Sequence, residues 1–98
     1  MRKIIILPYA ESDIKETITF YKEQKYNLDK TFLDVLNSSL KEIEKHTETY
    51  PIVRLKIRKY TIKKFPYSIF YSFDDEIIYI LAIFHNSRNP RIWIGRKI

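Results

Sequence analysis

The chain has 98 residues, 45% of them hydrophobic and 15% aromatic, with one Gly, four Pro and no Cys. This bounds it to one small domain spanning residues 1–98, and it excludes a disulfide scaffold and a flexible linker. The net charge of +6 is uneven: residues 1–50 hold eight Lys/Arg against nine Asp/Glu, and residues 51–98 hold ten against three.

Residues 3–7 read as a short strand, with three consecutive Ile. Pro8 cuts that apolar run too early for a signal peptide, and it suits the first position of a helix, where its missing N–H costs nothing. Ala10, Ile14, Ile18 and Tyr21 then recur at helical spacing, which predicts an amphipathic helix ending near Lys25. Glu11 and Asp13 fall in its early turns, where the helix dipole favours negative charge. Asn27 is a turn residue and N-cap for a second helix. That helix buries Leu28, Phe32, Val35, Leu36, Leu40 and Ile43, and it fades around His46 before Pro51. So short a connection predicts a helical hairpin.

After Pro51 the period changes to two. Val53, Leu55 and Ile57 alternate with Arg54, Lys56 and Arg58, which predicts one strand with an apolar and a cationic face. The alternation breaks near Lys59 and Tyr60. Residues 65–73 form the next strand, with Tyr67 and Tyr71 facing the core, and Asp74-Asp75-Glu76 turns the chain into a hairpin. Residues 77–84 are apolar on both faces, as in a central strand, and are far too short to cross a bilayer. Tyr79 is expected to face the core as well. The tail after Ile92 reads as a turn or short extension. The order is β-α-α-β-β-β, an α+β fold with a helical hairpin packed on one face of a small, mostly antiparallel, twisted sheet. The expected compartment is the cytoplasm.

Chemistry-bearing residues are few. His46 and His85 sit on different elements without a carboxylate at ligand spacing, so no metal site assembles. A single Gly at position 95 rules out a Gly-rich phosphate loop, and no segment resembles a nucleophile elbow. No cofactor is implied. The cations remain: Arg54, Lys56 and Arg58 on one strand face, Lys63 and Lys64 after it, and Arg88 and Arg91 past the central strand. If the strands are adjacent, these can converge beside His85, where they would bind phosphates and stabilise a phosphorane-like transition state. His85 would then be the general acid or base, and Tyr60 and Trp93 could stack on bases. The plainer readings are a solvated sheet face for the cations, a strand cap for His85 and tail docking for Trp93.

The chain also carries Pro8-x-Ala10-x-x-Asp13-Ile14-x-x-x-Ile18-x-x-Tyr21, then Leu28-x-x-x-Phe32-x-x-x-Leu36. Phe65-Pro66-Tyr67-x-Ile69-x-Tyr71 follows, then an apolar strand and His85-x-x-Arg88-x-Pro90. With these patterns over nearly its whole length, the chain resembles the RelE/ParE superfamily of bacterial toxins from type II toxin–antitoxin modules, and the ParE-type branch most. The resemblance implies a growth-inhibiting toxin of the plasmid-stabilisation kind. It also implies a cognate antitoxin that wraps the toxin, a higher-order toxin–antitoxin assembly, and no membrane. ParE-like members poison DNA gyrase, whereas RelE-like members cut mRNA in the ribosome with several Lys and Arg plus a terminal Tyr. This chain has no Tyr after Tyr79, and Trp93 stands where a polar aromatic would be wanted. The expectation is therefore a toxin that acts by binding, with a metal-independent ribosome-dependent endoribonuclease as the alternative. The candidate catalytic residues are His85, Arg88, Lys56 and Arg58, and the candidate binding residues are Arg54, Lys63, Lys64, Arg91 and Trp93.

Overall fold

The computed structural model of the protein describes residues 1–88. Its elements run β1 (Lys3–Ile6), α1 (Pro8–Gln24), α2 (Leu28–Lys45), β2 (Ile52–Arg54), β3 (Ile57–Thr61), β4 (Tyr67–Phe73) and β5 (Ile77–His85). Leu7 stays extended ahead of Pro8, as a residue before proline prefers, and Pro8 opens α1. Asn27 turns the chain into α2 at φ 65, a left-handed conformation that Asn tolerates better than most residues. Its side chain makes no capping hydrogen bond.

The five strands form one sheet in the order β1-β5-β4-β3-β2. β1 pairs in parallel with β5, and every other pair is antiparallel. Both helices lie on one face. The main core there joins Ala10 and Tyr21 of α1 and Phe32, Leu36 and Ile43 of α2 to Tyr60, Ile69, Tyr71, Ile78, Ile80 and Ile83 of the sheet. The Phe32 ring meets the Phe65 ring nearly edge-on, with centroids 5.2 Å apart. A second buried cluster on the opposite face contains Ile57, Phe70, Leu81, Ala82 and Phe84, with Leu7 and Tyr79 packed against it.

β5 is apolar throughout because both of its faces are buried, and a bulge interrupts its alternation. Phe70 pairs with Ala82 but Tyr71 pairs with Ile80, so Leu81 is one residue in excess. Alternation along β5 therefore switches at Leu81: Ile78 and Ile80 face the helices on one side of it, and Ile83 does so on the other. Sequence alternation alone cannot show this switch. Tyr79 lands with the second cluster, not under the helices.

The expected alternating strand over residues 53–58 is instead two short strands. The chain reverses at Leu55-Lys56, with Arg54 paired to Ile57 and Leu55 at φ 50. Leu55 is 82% exposed and Val53 44% exposed, so the intended apolar face is largely solvated. Nothing local announces the turn, because Leu replaces the Gly or Asn that such a φ favours. Among the described residues no helix is long and apolar enough to cross a membrane.

Candidate functional site

β5 carries His85 to its end, where it lies opposite Tyr67 of β4 with the two rings edge to face at 5.2 Å. The ring Nδ1 accepts the Ser87 N–H at 3.1 Å and lies 2.7 Å from the Ser87 hydroxyl. An Nδ1 that accepts from an amide leaves the proton of the neutral ring on Nε2. The turn that follows is well tied. Arg88 N–H donates to the His85 carbonyl at 2.9 Å, and Asn86 N–H donates to the Pro66 carbonyl at 2.7 Å. Ser68 Oγ donates to Asn86 Oδ1 at 2.6 Å. The Arg88 guanidinium stacks 4.5 Å over the Phe84 ring.

Beside this turn α1 forms one wall of a cleft of about 230 Å³, lined by Asp13, Glu16, Phe20, Tyr67, His85 and Arg88. Phe20 leaves half its surface in solvent. Asp13, by contrast, is buried, and its Oδ2 accepts the Ile83 N–H at 3.0 Å. The last β1–β5 pair is Ile6 with Ile80, so the carboxylate takes over that edge of β5 where β1 has ended. The sequence reading assigned Asp13 to the helix dipole and missed this role. A signal was present: Ala10, Asp13, Thr17 and Tyr21 share one helical stripe, and all four are buried.

The candidate cations divide between the two ends of the sheet. The residues after β3 fold back so that Ile62 N–H meets the Tyr67 carbonyl at 2.9 Å, which puts exposed Lys63 and Lys64 at the His85 end. Arg54, Lys56 and Arg58 belong to the other end. Arg58 pairs with Tyr71 and His85 pairs with Tyr67, four positions away along β4, or roughly 13 Å at 3.3 Å per residue. Arg58 does not stand on a solvated cationic face. It lies on the helix side, donating from Nη1 to the carbonyls of Glu48 at 2.9 Å and Tyr50 at 2.7 Å, with its guanidinium 5.4 Å from the Phe73 ring. Lys56 is exposed in the β2–β3 turn and Arg54 on the edge strand. The expected convergence of Lys56 and Arg58 on His85 is absent. Arg91 and Trp93 lie outside the described residues.

Three ionisable groups show how the frame around these ends is held. Burial pushes the Tyr71 hydroxyl up to about 12, and that hydroxyl donates to the Thr47 carbonyl at 2.8 Å. Asp74 in the β4–β5 turn accepts the N–H groups of Glu76 and Ile77 at 2.8 and 2.7 Å, which hold its carboxyl below the usual range. Tyr79 donates to the same carboxylate at 3.1 Å, and that bond raises its own titration.

A family model described as "ParE toxin of type II toxin-antitoxin system, parDE" matches residues 4–90. No curated protein matches the chain by sequence. Among solved structures, a chain of a chromosomal ParDE TA system from P. aeruginosa superposes with a TM-score of 0.64 at 15% identity. The superposition covers 87% of this chain and 96% of that one, a likeness of fold.

Proposed function

The chain belongs to the family of ParE toxins of type II toxin–antitoxin systems, and on that footing we propose that it halts growth by holding DNA gyrase and not by cutting RNA. It is a toxin with a cognate antitoxin as partner, and the proposal concerns the target and the cytoplasm in which that target is found.

One observation carries the binding reading. A metal-independent ribonuclease needs its general base and its phosphate-binding cations within reach of a single phosphate, a matter of a few ångströms. Here Arg58 is spent on the Glu48 and Tyr50 carbonyls, four strand positions from His85. His85 and Arg88 line a cleft with a half-exposed aromatic, Phe20, and exposed Lys63 and Lys64 lie at the same end of the sheet. Such an end suits recognition of a protein surface, with an aromatic anchor inside a ring of charge.

Purified toxin added to gyrase and relaxed plasmid tests this directly. The expected result is loss of supercoiling, weakened about tenfold or more by Arg88→Glu, with ribosome-bound mRNA intact in parallel reactions. Undisturbed gyrase together with cleaved mRNA would overturn the proposal.

A further inference from the structure

Residues 51–56, from Pro51 into the β2–β3 turn, are all exposed. Three of them are large hydrophobics, Ile52, Val53 and Leu55. Single apolar side chains are ordinary on a surface, but three within four consecutive positions form a patch. Leu55 is the extreme case, since it stands in a left-handed backbone conformation with almost its whole side chain in solvent. Nothing in the chain repays that unfavoured backbone, and strain of this kind is found where a residue serves a partner.

The charge around this tip has one sign. Between Glu48 and Asp74 the chain holds six Lys/Arg and no Asp/Glu. Arg58 is engaged by the Glu48 and Tyr50 carbonyls, whereas Arg54, Lys56 and Lys59 make no ion pair among the described residues. Arg54 pairs with Ile57, whose side chain lies in the cluster away from the helices. Residues paired across two strands share a face, and so do residues two apart on one strand, which brings Lys59 to the same side. Lys56 follows Leu55 in the turn. The hairpin thus ends in an apolar side chain between two cations, with a third behind them.

Duplex DNA is the reverse image of that tip, because it sets apolar base faces between two anionic backbones. Arg54 and Lys56 are no more than about 7 Å apart along the backbone, and a minor groove is about 6 Å wide between its phosphate borders. Ribbons of two strands enter DNA grooves, and a Leu can wedge between base steps from the minor-groove side. A second copy of this chain would set the same cations against one another. An anionic membrane surface calls for a broad apolar face, which three side chains at one tip do not supply. We infer that the β2–β3 hairpin is a DNA-binding ribbon. Arg54 and Lys56 meet phosphates on the two sides of a minor groove, Lys59 adds a further phosphate contact, and Leu55 wedges against a base step. This assignment does not depend on the gyrase reading. A toxin seated on gyrase by its His85 end would keep the opposite end of its sheet for the duplex that the enzyme carries.

The test is binding of the purified full-length toxin to a short mixed-sequence duplex, followed by fluorescence anisotropy across a salt series. A second duplex carries 2-aminopurine, whose fluorescence rises when its step is unstacked. Arg54→Gln combined with Lys56→Gln is expected to weaken affinity at least about tenfold and to lower the slope of log affinity against log salt by about two. Leu55→Gly is expected to fold, to keep the salt slope and to lose the 2-aminopurine signal, so it decides the matter if the double variant fails to fold. No binding by the wild type, or unchanged affinity in the double variant, overturns the inference. A 2-aminopurine signal that survives Leu55→Gly overturns the wedge. Variants that lose gyrase in the absence of DNA and keep their duplex affinity would assign the tip to a protein partner and overturn the ribbon. Supercoiling inhibition is read in the same preparations, so failure of the gyrase reading leaves a positive duplex result standing.

Discussion

Tyr71 is completely buried and spends its hydroxyl on the Thr47 carbonyl, tying β4 to the segment after α2. Tyr71→Phe keeps the ring and strands that carbonyl, so unfolding in urea at neutral pH should show a loss of about 1 kcal/mol. The same residue sets an alkaline limit. Its titration is raised by folding, from 10.0 to about 12, so the unfolded chain gives up the proton first. Its contribution to stability is therefore complete below pH 10 and is lost as the pH rises through that window. Tyr71→Phe should flatten the alkaline limb of the stability curve between those pH values. An unchanged limb would mean that other groups govern it. Asp13 acts in the same local way at the other end of the sheet. Asp13→Ala leaves the Ile83 N–H buried without its acceptor and should cost about 1–3 kcal/mol in equilibrium unfolding.

At the scale of elements, the helical hairpin was legible in the sequence and the β2–β3 hairpin was not. Phe32 and Leu36 sit at the centre of the predicted stripe of α2, and both are buried in the main core. Phe32→Ala should lose about 3–5 kcal/mol in urea unfolding, because a ring at zero exposure leaves a cavity when truncated. The turn at Leu55 escaped notice because the residue there is a poor one for its backbone. A left-handed conformation costs a residue that carries a Cβ about 1–2 kcal/mol relative to the right-handed one. Leu55 is 82% exposed and gains little packing in return. Leu55→Gly should thus raise stability, by about 0.5–1 kcal/mol after the greater freedom of Gly in the unfolded chain is counted. A lower midpoint in thermal unfolding would show that the Leu55 side chain supports the hairpin after all. The bulge at Leu81 was hidden for the opposite reason: an all-apolar strand looks the same whichever face each residue takes.

At the scale of the whole molecule, the cations of the C-terminal half that lie among the described residues do not form one face. The topology sends Lys63, Lys64, His85 and Arg88 to one end of the sheet and Arg54, Lys56 and Arg58 to the other. Sequence alternation could place Arg58 on a strand. It could not reveal that the helices cover that side, or that the Glu48 and Tyr50 carbonyls would claim its guanidinium. Asp13 posed a similar problem, since its partner lies 70 residues away in the chain. Family, fold and antitoxin partnership were legible because they rest on extended patterns, whereas the site depended on long-range pairing. The separation of the cations is the basis for the proposal that the toxin works by binding. The most direct test is controlled expression of the wild-type chain in a bacterial host, reading growth, transcript integrity and the DNA-damage response together. Growth arrest with intact transcripts and an induced damage response is the expected result. Arrest with transcripts cut at ribosome-bound positions would contradict the account.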